Sequence, residues 1–300
     1  MKKKTYLFAL MAMALTLSSC SDNENGIGGE TSKYITVSTS IGNMTRVATD
    51  EKGGQTFEEG DEISVYAWTG DATVAPETRE RVVNNAINKL TNGSWVSTPQ
   101  MLWKNNRDKH YFIGVYPISA ISDLSAGEYT FDVNKQTESD LLVAVNKDGL
   151  SYNVDEQQPV PLTFTHVMAK LVVNLTYKNQ WGGIPTVEKV VVGNAAKEAT
   201  VNYLTKVVTP STTAKEDFSL PEITENSKYV SVIIPQEEVK QLTIVIGGKN
   251  FVYDNGTPFK LESGKITTVN LEVGRDEIKL GDVKITDWEN GSTFSGEALN

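Results

Sequence analysis

The chain has 300 residues, of which 38 are acidic and 28 are basic, and its formal net charge is −10. An acidic balance without basic clusters argues against nucleic acids and anionic lipid surfaces as partners. Cys20 is the only cysteine, which excludes a disulfide within the chain.

The N-terminus is predicted to be a signal peptide over residues 1–19. Three lysines precede an almost wholly apolar run over residues 5–17, which is too short to span a bilayer comfortably. Residues 17–20 (LSSC) resemble the lipobox of bacterial lipoproteins. This resemblance implies that the Cys20 thiol takes a diacylglycerol and that the chain is cut before it, which would anchor the protein to the outer membrane. The alternative is an ordinary secretory signal with a chance cysteine.

Residues 21–30 are polar, acidic and rich in glycine, so we expect a flexible tether after the cysteine. Asp22 and Glu24 loosely match the surface-export signal of lipoproteins, which predicts display on the outer face of the membrane. The alternative is a plain linker facing the periplasm.

The rest of the chain carries the pattern of β-strands. Apolar residues alternate with other residues from Val167 to Tyr177, and shorter runs repeat this period of two at Ile63, at Leu242 and at Val269. The weakly helical residues 77–90 are interpreted as strand plus loop, and His166 is interpreted as the start of a later strand. Turn pairs such as Asn92-Gly93 and Gly247-Gly248 separate the runs.

Many short strands with turns between them predict an all-β fold of antiparallel β-sandwiches. Two prolines over residues 157–161 interrupt the pattern. The predicted organisation is a lipidated tether with a removable first strand over 20–46 and two sandwich domains. Those domains span 47–160 and 161–300, with a boundary accurate to about ten residues.

A search for catalytic chemistry finds little. The two histidines, His110 and His166, lack partners at the spacing of a metal site or a catalytic triad, and a structural role is predicted for both. Acidic residues at 58–62 are interpreted as a solvated strand entrance rather than as a glycosidase pair. The five tryptophans leave glycan binding open. We therefore predict no enzyme activity, no cofactor and no metal.

The order of several short segments resembles the Mfa-like fimbrillins, the subunits of type V pili. The matching pieces are FEEGDEI at 57–63, YAW at 66–68, Trp103, VYP at 115–117, DLLVA at 140–144, LTFTHVMAK at 162–170, residues 229–236 and WENG at 288–291. The resemblance implies two transthyretin-like sandwiches and assembly with other pilin subunits into a homopolymeric fimbrium. In shaft subunits of that family, an arginine-specific protease removes the N-terminal segment with its first strand, and a strand from another subunit fills the groove.

Two segments of this chain fit that scheme. Residues 35–41 alternate as one strand, and a cut between Arg46 and Val47 would remove it; the alternative is an unprocessed loop arginine. The candidate donor strand is 278–286, where Ile278 and Leu280 alternate in one phase and the other two aliphatic residues, Val283 and Ile285, continue after a step at Gly281-Asp282. The alternative makes this run the last strand of the subunit's own sheet, with Trp288 packed at its end.

Two function classes follow from the sequence. The first is a structural pilus subunit that polymerises by strand exchange after cleavage at Arg46. The second is a surface lipoprotein that does not polymerise and acts as an adhesin or binds a glycan or host ligand of unknown identity.

Overall fold

The computed structural model describes residues 34–42, 56–152, 158–254 and 256–288. These residues form nineteen strands, one short α-helix and two turns of 3₁₀-helix. The strands are β1 Val37–Ile41, β2 Glu62–Thr69, β3 Arg81–Thr91, β4 Ser94–Thr98, β5 His110–Tyr116, β6 Gly127–Thr130, β7 Leu142–Leu150, β8 Val160–His166, β9 Ala169–Tyr177, β10 Val187–Ala196, β11 Glu198–Asn202, β12 Val207–Pro210, β13 Lys215–Ser219, β14 Glu222–Thr224, β15 Lys228–Ile233, β16 Gln241–Ile246, β17 Lys249–Asp254, β18 Lys265–Val273 and β19 Ile278–Asp287.

The helical segments are brief. Helix α1 is Gln136–Ser139, and the 3₁₀ turns are Thr78–Glu80 and Asn179–Trp181. The predicted all-β fold class is therefore confirmed. Residues 77–90, interpreted as strand plus loop, form a 3₁₀ turn followed by most of β3. None of the helices in the described part of the chain is long and apolar enough to cross a membrane.

The strands form four sheets. The largest has seven strands in the order β1-β8-β7-β5-β2-β3-β4, and a five-stranded sheet runs β14-β15-β9-β18-β19. A four-stranded sheet runs β13-β10-β16-β17, and a three-stranded sheet runs β12-β11-β6. Neighbouring strands are antiparallel except for two pairs, β1 with β8 and β9 with β18, which are parallel. The first strand of the chain and the last described strand each lie at the edge of a sheet.

The seven-stranded sheet is buried on both faces at its central strands β2 and β5. Successive side chains of a strand point to opposite faces, so these strands contribute to two interiors. On β2, Ile63 and Val65 contribute to one hydrophobic cluster, whereas Tyr66 and Trp68 contribute to a second. The first cluster includes the inward side chains of β1. The second is larger and continues into the sheets that follow β8.

Two of the predicted turn pairs form two-residue hairpin loops. Asn92 and Gly93 join β3 to β4 with φ angles of 51° and 73°, and Gly247 and Gly248 join β16 to β17 with φ angles of 58° and 72°. Positive φ at both central residues is the geometry that suits the twist of a hairpin, and asparagine and glycine adopt it readily.

The chain leaves the seven-stranded sheet at His166, the last residue of β8 and six residues beyond the predicted boundary. The prediction that His166 opens a strand is wrong, because Val167 and Met168 interrupt the ladder before β9 begins. One sheet also pairs β6, from before the boundary, with β11 from after it. Residues 32–300 cluster as one compact unit, and the division into two domains stays a prediction.

Candidate functional site: the two edge strands

Strand β1, together with Ile35 just before it, completes a hydrophobic interior. Ile35, Val37 and Ile41 are only 2%, 6% and 5% exposed, while Thr36 and Ser38, which alternate with them, are exposed. Apolar side chains at every second position make one face of the segment a wall of the core. Burial of three such side chains stabilises the fold by about 4.5–9 kcal/mol, since each contributes roughly 1.5–3 kcal/mol.

Hydrogen bonds hold β1 and the preceding Ile35 on both sides. The strand pairs in parallel with β8, from Val37 opposite Val160 to Ile41 opposite Phe164. On its other side, Ile35 N donates to Met101 O at 2.9 Å, and the indole Nε1 of Trp95 donates to Thr39 Oγ1 at 3.0 Å. The segment therefore bridges β8 and the region of β4, which lie at opposite ends of the sheet order.

Strand β8 depends on β1 for much of its pairing. Strand β7 pairs only with the last three residues of β8, Phe164 to His166, in the part of the chain that the structure describes. The preceding residues, from Val160 to Thr163, find their ladder partners in β1. Removal of β1 would thus leave four consecutive residues of a sheet edge unpaired beside an open apolar groove, which is a state that invites another strand.

Strand β19 lies at the edge of the five-stranded sheet and is held differently. It pairs antiparallel with β18. Its side chains are exposed or half-buried throughout, and Val283 and Ile285 are 39% and 38% exposed. The aliphatic residues Ile278 and Leu280 are half-buried against the core. This strand forms the edge of its sheet and contributes no fully buried side chain to the interior.

The predicted step at Gly281-Asp282 coincides with a β-bulge. Val269 faces Val283 and Leu271 faces Leu280, so β19 accommodates one residue more than β18 between these pairs. A Cβ atom on Gly281 would lie 3.2 Å from the carbonyl oxygen of Asn270, which is a tight contact. The Asn270 side-chain amide donates to Asp282 Oδ1 at 2.6 Å and fixes the bulge from the side.

Charged groups hold the start of β19. Glu277 pairs with Lys178 and also lies near Lys279, and these cations hold the pKa of the Glu277 carboxylate below its usual value. Arg275 is exposed in the preceding turn, where its N–H donates to Gln180 Oε1 at 3.0 Å. These contacts are at the surface, where solvent screens ion pairs and each contributes little.

Trp288, directly after β19, is only 8% exposed. Its ring stacks on His166 with a centroid separation of 3.9 Å and an interplanar angle of 7°. The Lys170 ammonium lies 4.5 Å from the Trp288 ring centroid. His166 Nδ1 lies 2.8 Å from Asp140 Oδ1, and the carboxylate is the acceptor. Burial lowers the pKa of Lys170, and Asp140 partly opposes that effect.

The groups considered for catalysis have structural contacts. The Glu59 carboxylate accepts the Asn92 N–H at 2.6 Å at the β3–β4 turn, and Glu62 pairs with Lys89. Lys104 N donates to His110 Nε2 at 3.1 Å. Burial lowers the pKa of His110, which favours the neutral ring. No cluster of three or more potential metal-ligating side chains occurs within the described ranges.

The predicted site residues divide into two groups. Cys20, Arg46 and Val47 lie outside the described residues, and their roles stay predictions. The donor-strand residues lie on β19, which pairs with its own β18 in this chain as the alternative interpretation expects. Donation of the strand to another subunit stays a prediction.

The structure does not bring β1 and β19 together, since they belong to different sheets. Sequence reasoning missed the contact of Trp288 with His166, because no spacing pattern connects residues 122 positions apart.

Comparison with known proteins identifies the family. The model of the fimbrillin-like family matches residues 45–288. The chain belongs to this family. The matched region excludes β1 and includes β19 with Trp288. Membership supports a role as a subunit of the pilus or adhesion type and a location at the cell surface.

Individual relatives agree with the family. A candidate fimbrium subunit, Fim1C of Bacteroides uniformis, is 25% identical over 99% of this chain and all of its own length. Crystal structures of candidate cell adhesion proteins from Bacteroides ovatus and Bacteroides uniformis share the fold. Their TM-scores are 0.65 and 0.63 at 18% identity, and each comparison covers 85% of this chain and 98% of the other. A fimbrial protein from Bacteroides vulgatus matches 84% of this chain and 99% of its own with a TM-score of 0.53 at 12% identity.

Proposed function

We propose that this fimbrillin-like chain is a structural pilus subunit, exported as a lipoprotein through Cys20 and polymerised by strand exchange. Cleavage between Arg46 and Val47 removes β1, and the tail of a second copy of the chain, carrying Ile278, Leu280, Val283 and Ile285, enters the groove that β1 leaves. The observation that carries the proposal is the contrast between an edge strand that fills a core and an edge strand whose aliphatic residues stay partly exposed.

The covalent structure favours a removable β1. A single connection, residues 43–55, joins the strand to the rest of the mature chain, and Arg46 is the only arginine in it. A cut there would leave β1 attached by hydrogen bonds and packing alone. A parallel pair such as β1 with β8 is slightly less stable per residue than an antiparallel pair, which eases departure of the cut strand.

Burial favours movement of the tail into the groove. About two-fifths of Val283 and Ile285 is exposed on β19, whereas the apolar residues of β1 are at most 6% exposed. Completing the burial of each aliphatic side chain contributes roughly 0.5–1 kcal/mol, in proportion to the area removed from water. The tail makes eight residue pairs with β18, and the groove on β8 offers the five positions that β1 occupies, so a new ladder on β8 would restore part of the main-chain pairing that the tail loses.

The spacing of the tail suits the groove only with its bulge. The inward positions of the first segment are Ile35, just before β1, and Val37, Thr39 and Ile41 on β1, at regular intervals of two. The four tail aliphatics alternate in the same way once the extra residue at Gly281-Asp282 is taken up by a bulge, as it is on β18. A bulge in a strand that enters the groove would keep all four side chains facing inward.

Arg46→Ala tests the proposal. We expect the variant to retain the first strand and its lipid and to form no oligomers that survive SDS at moderate temperature, whereas the wild type gives a ladder that disappears only on stronger heating. The N-terminal residue of the surface protein should be Val47 in the wild type and lipidated Cys20 in the variant. A matched control is Arg275→Ala, which removes an exposed arginine from the hinge before β19 and should leave the ladder intact. Ladders in Arg46→Ala would contradict the processing step.

The second candidate is a surface lipoprotein that does not polymerise. The observation that favours it is that both edge strands are already paired within the single chain. Recovery of the surface protein solely as a monomer that begins at Cys20 would support this candidate over the first.

A further inference from the structure

The residue that follows β19 is buried, unlike the second half of the strand. All residues from Gly281 to Asp287 are exposed, and the next residue, Trp288, is buried. An indole ring that leaves water contributes more than any other side chain of the tail, because tryptophan carries the largest apolar surface. From Gly281 onward, the buried area of the described tail is thus concentrated at Trp288.

The residues that surround Trp288, called its socket here, come from two sheets. His166 is the last residue of β8 in the seven-stranded sheet, and Lys170 lies on β9 in the five-stranded sheet. Asp140 directly follows α1 and fixes the His166 ring through the 2.8 Å contact to Nδ1. The main chain adds a bond from Trp288 N to Gly264 O at 2.9 Å. Stacking, a cation near the ring and a main-chain bond all restrain the same residue.

We infer that Trp288 is a latch, which holds the C-terminal strand on its own subunit and must leave its socket before the strand can join a neighbour. The role in joining rests on the proposed strand exchange, whereas the hold on the tail does not. The latch is an autoinhibitory contact: it keeps an aliphatic edge strand from pairing with other copies of the chain before a groove is open.

Amide hydrogen exchange of the full chain tests the hold on the tail. In Trp288→Ala, exchange over residues 278–287 should be about tenfold faster or more, since stacking and cation contacts with burial together exceed the 1.4 kcal/mol that corresponds to a factor of ten. Exchange over β2 and β5 should not change. Trp288→Phe retains an aromatic ring, so its exchange rate over residues 278–287 should fall between those of the wild type and Trp288→Ala. Lys170→Met keeps the apolar stem of the side chain and removes the cation, so it should raise the exchange rate less than Trp288→Ala does.

Ile285→Ala is the matched control, because it removes an apolar side chain from the same strand without touching the socket. It should change the exchange of residues 278–287 far less than Trp288→Ala does. Equal exchange in the wild type and in Trp288→Ala would overturn the latch.

The rate of joining tests the role in assembly. After cleavage with an arginine-specific protease, Trp288→Ala should form the SDS-resistant ladder faster than the wild type by a factor similar to its gain in exchange. Faster exchange without faster joining would show that release of the tail does not limit assembly, and it would overturn that part of the inference. If the cleaved wild type forms no ladder at all, the proposed strand exchange fails, and the exchange experiment still decides whether Trp288 holds the tail.

Discussion

The first and last described strands occupy equivalent places, each at the edge of its sheet, but they are bound in opposite ways. Strand β1 and the preceding Ile35 are almost completely buried at Ile35, Val37 and Ile41, whereas β19 leaves two-fifths of Val283 and Ile285 in solvent. One edge strand contributes buried side chains to a core, and the other has only exposed or half-buried side chains. The comparison teaches that position at an edge does not determine how much a strand contributes to stability. The contribution depends on how many apolar side chains the strand buries.

Deletion of each strand should give the largest difference. A chain that begins at residue 47 lacks β1 and should lose about 4.5–9 kcal/mol of unfolding free energy from apolar burial alone, a large part of the 5–15 kcal/mol typical of a domain. A chain that ends at residue 276 should lose less and remain folded, because β19 buries little and Trp288 is the single buried side chain that the described tail loses with it. This chain should not join other subunits. Denaturant titration measures the first effect and the ladder in SDS measures the second.

A similar loss of stability in both deletions would contradict the comparison. It would show that β19 is an indispensable strand of its own sheet and would favour the candidate that does not polymerise. Unfolding of the chain that ends at residue 276, with the chain that begins at residue 47 still folded, would have the same meaning.

Two isoleucines allow a matched substitution. Ile41→Ala removes a side chain that is 5% exposed, so we expect a loss of roughly 2–4 kcal/mol from the transfer and cavity costs of a core site. Ile285→Ala acts on an exposed strand and should change the unfolding free energy by less than about 1 kcal/mol. The order should reverse for joining, where Ile285 would be the side chain that enters the partner's groove. Midpoints of denaturation and the fraction of chains in the ladder provide the two measurements.

The smallest effect is expected at the hinge. Lys178 and Lys279 lower the pKa of Glu277 from the ordinary 4.5, so its charge stabilises the fold fully above 4.5, and this contribution is lost as the pH falls through the lowered pKa. Glu277→Gln should therefore be slightly less stable than the wild type at pH 7 and equal to it in strong acid. A difference in thermal midpoint that grows on acidification would contradict this sign.

The sequence predicted local structure better than it predicted pairing. Alternation located β2, β9, β16 and β18, and Asn92-Gly93 and Gly247-Gly248 formed the predicted hairpin loops. The error at His166 has a physical cause: Val167 and Met168 are 1% and 0% exposed because the chain is still buried where it crosses between sheets. An apolar alternation therefore continues through a break in the ladder.

The site was predictable in part. The aliphatic runs of β1 and β19 and the bulge at Gly281-Asp282 left patterns along the chain. The pairing of β1 with β8 joins residues 123 positions apart, and the socket for Trp288 assembles residues from separate strands. Contacts of this kind depend on sheet order, which short-range periodicity does not encode.

The pairing of β8 sets a limit on timing. Four of its residues, 160–163, have β1 as their ladder partner, and a subunit stripped of β1 would present them together with an open apolar groove. Such an exposed edge is prone to aggregation at ordinary protein concentrations. Under the proposed strand exchange, a stripped subunit would therefore be a short-lived species, and productive growth would require that the cut be made where the next tail is already within reach.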